Sequence, residues 1–290
     1  MSEATAAETA NAEMRQYWNQ VAGPRWVGLG GAQEARNVEV ARLLLDAAAA
    51  IPGERVIDVG CGTGATLIPF AAAVGPHGHA TGIDIAEPML NRARERVAEE
   101  GLTNVTLLLG DAQVYSFAPA SFDLLTSRFG VMFFADPIAA FRNLFGALRP
   151  GGRLVMAVWA SVAENPHRKI PYEIALRHLG PPGPTPPHMP DAHVFADRDY
   201  FRGVLAAAGF ADIAIEAKHF HIHAASAANM AQNVTMFGAV QRLLDEKKAD
   251  DKVRQAIVAE TEAAFATYAE ADGKLRLPGT FLLATGRRTG

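Results

Sequence analysis

The stretch Arg55–Leu67, with the sequence RVIDVGCGTGATL, decides the fold. It joins a short apolar run containing one acid to three glycines at alternate positions, Gly60, Gly62 and Gly64. An apolar run followed directly by glycines is typical of a buried strand that turns sharply into a helix. Such a turn exposes bare backbone, and the first turn of the helix presents unpaired N–H groups. The stretch therefore predicts a ligand site at the end of a strand.

Strand-like and helix-like segments alternate across residues 54–159, which is the pattern of a parallel sheet covered by helices. Helical spacing follows the glycines over Leu67–Val74, a second helix opens at Pro88, and Asp136 with Pro137 caps a third. The strands predicted between them are Arg55–Val59, His79–Ile85, Val105–Gly110, Phe122–Ser127 and Arg153–Trp159.

The flanking segments are predicted to complete the same domain. Met14–Ala50 is expected to form helices after a disordered start, Met1–Glu13, which lacks the pattern of a signal peptide. The proline-rich segment Gly180–Pro190 is too stiff and too poor in donors for a core element, so we expect a surface lid there. Further patterns predict a helix over Asp197–Gly209, a strand over Ala211–Ala224, two helices within Ser226–Ala271 and a last strand over Leu275–Arg288.

Composition excludes several function classes. With 290 residues, 49% of them hydrophobic, the chain is long enough to bury a full core. A net charge of −4 without a basic stripe does not indicate a surface that binds nucleic acid. No apolar run is long enough to predict a membrane span, so we expect a cytoplasmic protein. Cys61 is the only cysteine, which excludes internal disulfides and cysteine-based metal centres and favours a packing role for this side chain within the glycine run.

Acidic residues follow three successive predicted strands and distinguish between two ligand classes. Gly60, Gly62 and Ala65 formally match the G-x-G-x-x-A pattern of dinucleotide sites. However, Asp58 would place a carboxylate near the loop, where it repels a pyrophosphate and attracts an ammonium group. Asp84 can accept hydrogen bonds from a ribose, and Asp111 suits an adenine amino group. This combination favours a nucleoside that carries an ammonium and a sulfonium group.

With these motifs, the sequence resembles the class I S-adenosylmethionine (SAM)-dependent methyltransferases, in particular the small-molecule branch that includes ubiquinone and menaquinone biosynthesis enzymes. The resemblance extends over roughly Trp18 to Arg288. It implies an α/β Rossmann-like sandwich, with a seven-stranded, mostly parallel sheet, helices on both faces and helical additions at both ends. The last strand is expected to be antiparallel, beside the sixth. On this basis residues 1–50 form a tail and helical cap, 51–160 a SAM-binding core, and 161–290 the lid, remaining strands and inserted helices.

The resemblance also implies how SAM is held. Residues Asp58–Gly64 would hold the methionine part, Asp84 the ribose, and Asp111 with Ala112 the adenine. Ser127 and Arg128 would border the methionine part, while Trp18 and Trp26 would help to close the site. The residues expected to contact the cofactor are Trp18, Trp26, Asp58, Gly60, Cys61, Gly62, Gly64, Asp84, Ile85, Met89, Gly110, Asp111, Ala112, Ser127 and Arg128.

The acceptor pocket is expected from three largely apolar segments, namely Phe129–Phe134, a loop over Asn165–Tyr172, and a helix over Met230–Phe237. Within the loop, His167 is the candidate general base, because it follows the fifth strand at the edge of the sheet where ligands bind. The motif HFHIH places His219, His221 and His223 on one face of a strand. These three histidines could hold a metal or supply a base, although a structural role is the simpler interpretation.

The sequence thus predicts an enzyme that transfers a methyl group from SAM, without a metal, to a small apolar or aromatic acceptor at an oxygen, nitrogen or carbon atom. Two alternatives stay open. One is an NAD(P)-dependent oxidoreductase, and the other is a SAM-binding regulator without catalytic activity. The expected partner is the small-molecule acceptor, with no nucleic acid and no membrane span, and the sequence leaves a homodimer open.

Overall fold

A seven-stranded sheet forms the centre of the structure, a computed structural model that describes residues 11–184 and 188–290. The strands lie in the order β3-β2-β1-β4-β5-β7-β6. The first five pair in parallel, and β7 runs antiparallel between β5 and β6. In chain order the strands are β1 Arg55–Val59, β2 His79–Asp84, β3 Val105–Leu109, β4 Phe122–Arg128, β5 Leu148–Trp159, β6 Ala211–Ala224 and β7 Leu275–Arg287. The predicted fold class is confirmed.

Helices connect and flank these strands. Between residue 11 and β1, a π-helical turn over Trp18–Ala22 joins the first two of four helices. Short 3₁₀ turns cover Val131–Phe133, Val162–Glu164 and Ala266–Tyr268. The α-helices are α1 Ala12–Tyr17, α2 Gly23–Gly28, α3 Gly31–Arg36, α4 Val38–Ala48, α5 Leu67–Val74, α6 Glu87–Glu99, α7 Pro137–Ala147, α8 Pro166–Leu179, α9 Arg198–Ala208, α10 Ala227–Thr235, α11 Gly238–Glu246 and α12 Asp251–Phe265.

Strand burial shows that helices cover both faces of the sheet. Four successive residues of β1, Val56–Val59, are buried, although neighbouring side chains in a strand point to opposite faces. The last six residues of β5 are buried in the same way. Each of these strands therefore supplies side chains to two apolar layers, which is why its sequence is a continuous apolar run rather than an alternating one.

Three expectations about the chain outside the sheet need correction. Three α-helices, not two, occupy the segment between β6 and β7, because Phe237 and Asp250 each begin a further helix. The expected loop Asn165–Tyr172 is the first half of α8, with Pro171 inside it. Residues 11–13 of the expected disordered start are ordered, and Asn11 is buried. Residues 1–10 of that start lie outside the described residues.

The proline-rich segment Gly180–Pro190 lies at the surface in its described parts, 180–184 and 188–190, most of which are exposed. Residues 185–187 lie outside the description, and the role of the segment as a lid stays a prediction. In the described part of the chain, no helix combines the length and the apolar character needed to cross a bilayer.

The parallel register brings the carboxyl ends of five strands to one edge of the sheet. Asp58 of β1 pairs with Gly82 of β2 and Thr126 of β4, so the segments that follow these strands emerge side by side. A ligand at this edge is contacted by the loops after several strands at once, which is the general position of ligands in open α/β sheets.

Two glycines allow the loops after β1 and β4 to touch. Gly60 has φ 67°, and a Cβ atom on it would lie 2.6 Å from the Cα of Gly130. A Cβ atom on Gly130 would in turn lie 2.5 Å from the carbonyl oxygen of Val59. Side chains at either position would force the two loops apart, so this backbone contact requires glycine on both sides.

This contact predicts a large cost for Gly60→Ala. Overpacking and a left-handed backbone each cost an alanine roughly 1–2 kcal/mol, so the free energy of unfolding should fall by at least about 2 kcal/mol. Urea denaturation measures the change. The matched control is Gly203→Ala in the middle of α9, where nothing lies within 4 Å of the added Cβ and the helix should gain about 0.5–1 kcal/mol. Equal stability of the Gly60→Ala variant and the wild type would contradict the argument.

Candidate cofactor and acceptor site

A cavity of about 500 Å³ lies at the carboxyl edge of the sheet. This volume is in the usual range for small-molecule sites. Its wall includes most of the residues expected to contact a cofactor, together with all three segments expected to contact an acceptor. The predicted cofactor residues on the wall are Trp18, Trp26, Gly60, Cys61, Gly62, Asp84, Ile85, Met89, Gly110, Asp111, Ala112 and Arg128.

Asp84, the last residue of β2, fixes the glycine loop. One of its carboxylate oxygens accepts a hydrogen bond from the backbone N–H of Gly62 at 2.8 Å, and the other accepts from Ala86 at 2.8 Å. Burial raises the pKa of Asp84, while these backbone donors oppose that rise. The carboxylate therefore lies on the cavity wall in a fixed orientation, with acceptor capacity for a further donor.

Asp111 follows β3 and is engaged by the N-terminal segment. One oxygen accepts from the backbone N–H of Gln113 at 2.9 Å, and the other accepts from the side-chain amide of Asn11 at 2.8 Å. The amide oxygen of Asn11 accepts in turn from the backbone N–H of Ala135. Asn11 thus bridges the loops after β3 and β4 at the position predicted for adenine. Sequence analysis missed this contact because the residue lies in a segment of low complexity.

Asp58 lies behind the glycine loop and does not line the cavity. Its side chain is fully buried. One oxygen accepts from the hydroxyl of Thr66 at 2.6 Å, and the other has no hydrogen-bond partner within the described chain. Burial raises the pKa of Asp58 from its ordinary 3.8 to about 7, against the opposing effects of the Thr66 hydrogen bond and the Arg128 charge. Near neutral pH this carboxyl is therefore close to half protonated.

Ser127 and Gly64, two other predicted contacts, also lie outside the cavity wall. The Ser127 hydroxyl donates to the carbonyl of Val59 at 2.7 Å and accepts from the backbone N–H of Gly130 at 3.1 Å. This hydroxyl therefore links the loop after β1 to the loop after β4. Gly64, at φ 84°, donates its N–H to the carbonyl of Cys61 and tightens the turn into α5.

Cys61 combines packing with a position on the wall. Its side chain belongs to an apolar cluster with Leu67 and Leu90. A Cβ atom on Gly82 of the neighbouring strand would lie 2.7 Å from the Cys61 sulfur. Burial raises the pKa of the Cys61 thiol well above its usual value, so the thiol stays protonated and is a poor nucleophile.

The N-terminal helices form a cap over one side of the cavity. The Trp18 ring contacts the Trp26 and Phe133 rings edge to face, at centroid distances of 6.5 and 5.6 Å. Asn19 donates to the carbonyl of Ile85 at 2.9 Å and accepts from the N–H of Glu87 at 3.0 Å, which ties the cap to the loop after β2. Both tryptophans line the cavity where the resemblance implies that they close the site.

The acceptor end of the cavity is built mainly from the segment after β4, α8 and the helices after β6. Residues of all three predicted segments line it: Phe129, Gly130, Met132, Phe133 and Phe134, then His167, Arg168, Pro171 and Tyr172, then Met230, Asn233, Val234 and Phe237. The Phe129 ring stacks on the Trp159 ring at 4.1 Å with an interplanar angle of 2°. These flat aromatic faces suit an apolar, planar molecule.

Asn165 positions the start of α8. Its side chain is fully buried and exchanges two hydrogen bonds with the backbone of Thr280 on β7, at 3.0 and 3.1 Å. His167, two residues on, is only 5% exposed and lies beside the Trp159 ring. Burial, reinforced by the neighbouring Arg168 charge, lowers the pKa of His167 well below its usual value. The imidazole is therefore neutral at physiological pH.

The three histidines of HFHIH are placed differently. His219 and His223 are exposed on β6. His219 contacts the Thr280 hydroxyl at 3.1 Å, and His223 contacts Glu39 at 3.4 Å. Residues 11–184 and 188–290 contain no cluster of three His, Cys, Asp or Glu side chains with metal-binding geometry. None of the three histidines lines the cavity, so the base hypothesis does not apply to them.

Comparison with known proteins identifies the central segment. Residues 51–175 match the family model described as a methyltransferase domain. The resemblance to methyltransferases is thereby confirmed over these residues.

Curated relatives match the methyltransferase domain over part of their length. The chain is 42% identical to aklanonic acid methyltransferase DauC of Streptomyces sp. (strain C5) over 113 residues, which cover 39% of this chain and 51% of that protein. It is 42% identical to demethylmenaquinone methyltransferase of Listeria monocytogenes over 102 residues, or 35% and 43% of the two chains. The chain thus spans about half the length of the curated relatives that it matches.

A solved structure shares the fold. Phosphoethanolamine N-methyltransferase 2 of Haemonchus contortus, in complex with phosphomonomethylethanolamine and S-adenosylhomocysteine, superposes with a TM-score of 0.54 at 18% identity. The superposition covers 87% of this chain and 53% of the other. At this level of identity the match supports the fold outside the methyltransferase domain as well as within it.

The buried carboxyl of Asp58 predicts a pH-dependent stability. Its pKa is raised in the folded protein, so between about pH 4 and pH 7 the folded state holds a proton that the unfolded state releases. Stability from this residue is present below pH 4 and is lost as the pH rises towards 7. The Asp58→Asn variant cannot ionise. From pH 4 to pH 8 its free energy of unfolding should rise by about 4 kcal/mol relative to that of the wild type.

Urea denaturation of both proteins at several pH values measures this difference. Asn preserves an acceptor for the Thr66 hydroxyl, so the variant should fold. A difference in stability that does not change with pH would show that Asp58 is ionised in the folded protein and that its burial is compensated.

Proposed function

We propose that this chain is an enzyme that transfers a methyl group from SAM to a small, largely apolar acceptor. The observation that carries the proposal is the pairing of a glycine loop with two carboxylates, Asp84 and Asp111, on one cavity wall. The methyltransferase-domain match and the fold support it. The aromatic acceptor end and the relatives named for aklanonic acid and for demethylmenaquinone support a small-molecule acceptor.

The roles of individual residues follow from their positions. Bound SAM supplies an electrophilic methyl group on a positively charged sulfur, and neutral S-adenosylhomocysteine leaves when the acceptor attacks. The backbone of Gly60 and Gly62 contacts the cofactor without steric hindrance, while Asp84 accepts from the ribose hydroxyls. Asp111 accepts from the adenine amino group. Trp18 and Trp26 exclude water from the reacting atoms.

Asp58 acts indirectly in this arrangement. It does not line the cavity, so we assign it to holding the start of α5 through Thr66 rather than to a direct contact with the ammonium group. The negative charge that it carries when ionised still favours a cationic ligand nearby. Ser127 and Gly64 act in the same way, by shaping the loops whose backbone contacts the cofactor.

Positioning accounts for most of the catalysis that we propose. The methyl group is already activated, so the protein mainly aligns the attacking atom with the carbon–sulfur bond, an effect worth up to roughly 7–11 kcal/mol. His167 is the proposed base for an acceptor that must lose a proton, because it is buried at the acceptor end and neutral. No metal ion takes part in this proposal.

Ligand binding tests the proposed cofactor site. Removal of a charge-assisted hydrogen bond costs roughly 1.5–3 kcal/mol, so Asp84→Ala should weaken S-adenosylhomocysteine binding by about 10- to 100-fold. Isothermal titration calorimetry gives the affinity. Asp46→Ala, an exposed carboxylate on α4, is the matched control and should bind as the wild type does.

The same titrations separate the alternatives. Tight binding of NAD or NADP, without binding of S-adenosylhomocysteine, would favour the oxidoreductase alternative and overturn the proposal. Binding of S-adenosylhomocysteine without transfer of a labelled methyl group into any small-molecule acceptor would favour the silent SAM-binding regulator. Unchanged affinity in Asp84→Ala would remove this residue from the cofactor site.

A base at His167 predicts a defined kinetic pattern. His167→Gln should lower kcat by about 10²-fold or more, because general bases contribute about 10²–10⁴-fold, and should leave the S-adenosylhomocysteine affinity unchanged. Because the pKa of His167 lies well below its usual value, kcat/KM of the wild type should stay flat from pH 6 to pH 8. Full activity of His167→Gln would show that the acceptor needs no base from this position.

A further inference from the structure

The acceptor end of the cavity carries an excess of basic groups, unlike the cofactor end. Arg36, Arg168 and Arg242 line it, and Asp191 is the acid beside them. Arg36 is 7% exposed, and burial lowers its pKa to about 10, so it remains charged at neutral pH. His193 is neutral, because burial lowers its pKa to about 4. A purely apolar acceptor would gain nothing from this positive charge.

Asp191 does not neutralise the whole group. One of its oxygens forms a salt bridge with Arg242, and the other accepts from the backbone N–H of His193 at 2.8 Å. Both oxygens are therefore engaged, and neither is hydrogen-bonded to Arg168. The Asp191 carboxylate at this end of the cavity is therefore paired with Arg242 rather than with Arg168.

Arg168 is the basic group at this end whose guanidinium forms no hydrogen bond or salt bridge with the described residues. Its guanidinium stacks over the Trp159 ring at 5.1 Å, and its Nε atom is buried without a hydrogen bond. Within residues 11–184 and 188–290, no hydrogen bond or salt bridge involves this guanidinium. A buried charge that lacks a partner is costly, and a well-formed protein retains one where a ligand supplies the partner.

His167, the preceding residue in the first turn of α8, also has a buried atom that lacks a hydrogen-bond partner in the described chain. That atom is Nδ1. Two neighbouring side chains on one helical turn therefore present unused hydrogen-bonding atoms at the acceptor end of the cavity. The positive end of the α8 helix dipole adds to the attraction for an anion here.

We propose that the acceptor is a planar apolar acid, whose carboxylate pairs with Arg168 while its ring system lies against the stacked Phe129 and Trp159 rings. This inference rests on the proposed methyltransferase function, because it specifies the acceptor of that reaction. Arg168 is a fork of N–H donors that matches a carboxylate with two parallel hydrogen bonds. The carboxylate is the group that the protein recognises. When it binds, it supplies the partner that the Arg168 guanidinium lacks within the described chain.

An anionic acceptor also explains how His167 can act as a base. Burial, together with the neighbouring Arg168 charge, lowers the pKa of His167, which weakens it as a base in the free protein. A bound carboxylate next to Arg168 cancels the nearest positive charge and shifts that pKa back towards neutrality. Binding of an acid would thus make His167 a stronger base, whereas binding of a neutral analogue would not.

Binding of a matched pair of probes tests the inference without turnover. 2-Naphthoate and 2-naphthamide have nearly the same shape and differ in charge. Isothermal titration calorimetry with S-adenosylhomocysteine at saturation should show at least tenfold tighter binding of the acid to the wild-type protein. Arg168→Met should reduce that preference to less than threefold, and Arg168→Lys should retain part of it because it keeps the charge. Thermal unfolding of each variant shows that it is folded.

Arg177→Met is the matched control. Arg177 lies on the same helix, is exposed, and pairs with Glu260 outside the cavity, so its removal should leave the preference for the acid intact. The inference is overturned if the wild type binds the amide as well as the acid, if it binds neither, or if the preference survives in Arg168→Met. Failure of S-adenosylhomocysteine to bind, with the acid still preferred, would instead overturn the proposed function.

Discussion

The contact between the backbones of Gly60 and Gly130 is the constraint on which the rest of the structure depends. It brings the loop after β1 against the loop after β4, and Ser127 fastens the two with one donated and one accepted hydrogen bond. Because Asp84 holds the loop after β1 through the N–H of Gly62, three adjacent strands determine the position of a few backbone atoms.

Charge is distributed unevenly along the cavity, and burial makes that distribution effective. Acids lie at the end formed by β1, β2 and β3, whereas arginines predominate at the end formed with α3, α8 and α11. In a partly desolvated cavity such charges interact more strongly than at the surface. A cationic donor and an anionic acceptor would each find a complementary end. Loss of the sulfonium charge in the transition state then favours a site that excludes water.

Local patterns in the sequence determine much of the fold but little of the acceptor end. The apolar run before Gly60, the proline at position 88 and the cap at Asp136 predict β1, α6 and α7 because each signal acts within a few residues. Gly130 and Asn11 could not be predicted, since their roles depend on contacts with residues 70 or more positions away. The sequence predicted a loop over Asn165–Tyr172, yet α8 covers most of this segment and tolerates Pro171, whose missing N–H costs one hydrogen bond.

The segment that matches the family model forms one end of the cavity more completely than the other. The cofactor end lies within residues 51–175, where the family model matches, apart from the cap that carries Trp18 and Trp26. Much of the acceptor end comes from elsewhere, namely Arg36, the helices after β6, and Arg242. Acceptor recognition can therefore change through these segments while the glycine loop and its acids stay the same. Arg168 is the exception, because it lies inside the matched segment and also lines the acceptor end. Its guanidinium, which has no hydrogen-bond or salt-bridge partner among the described residues, therefore links the segment that matches the family model with the part of the cavity that contacts the acceptor.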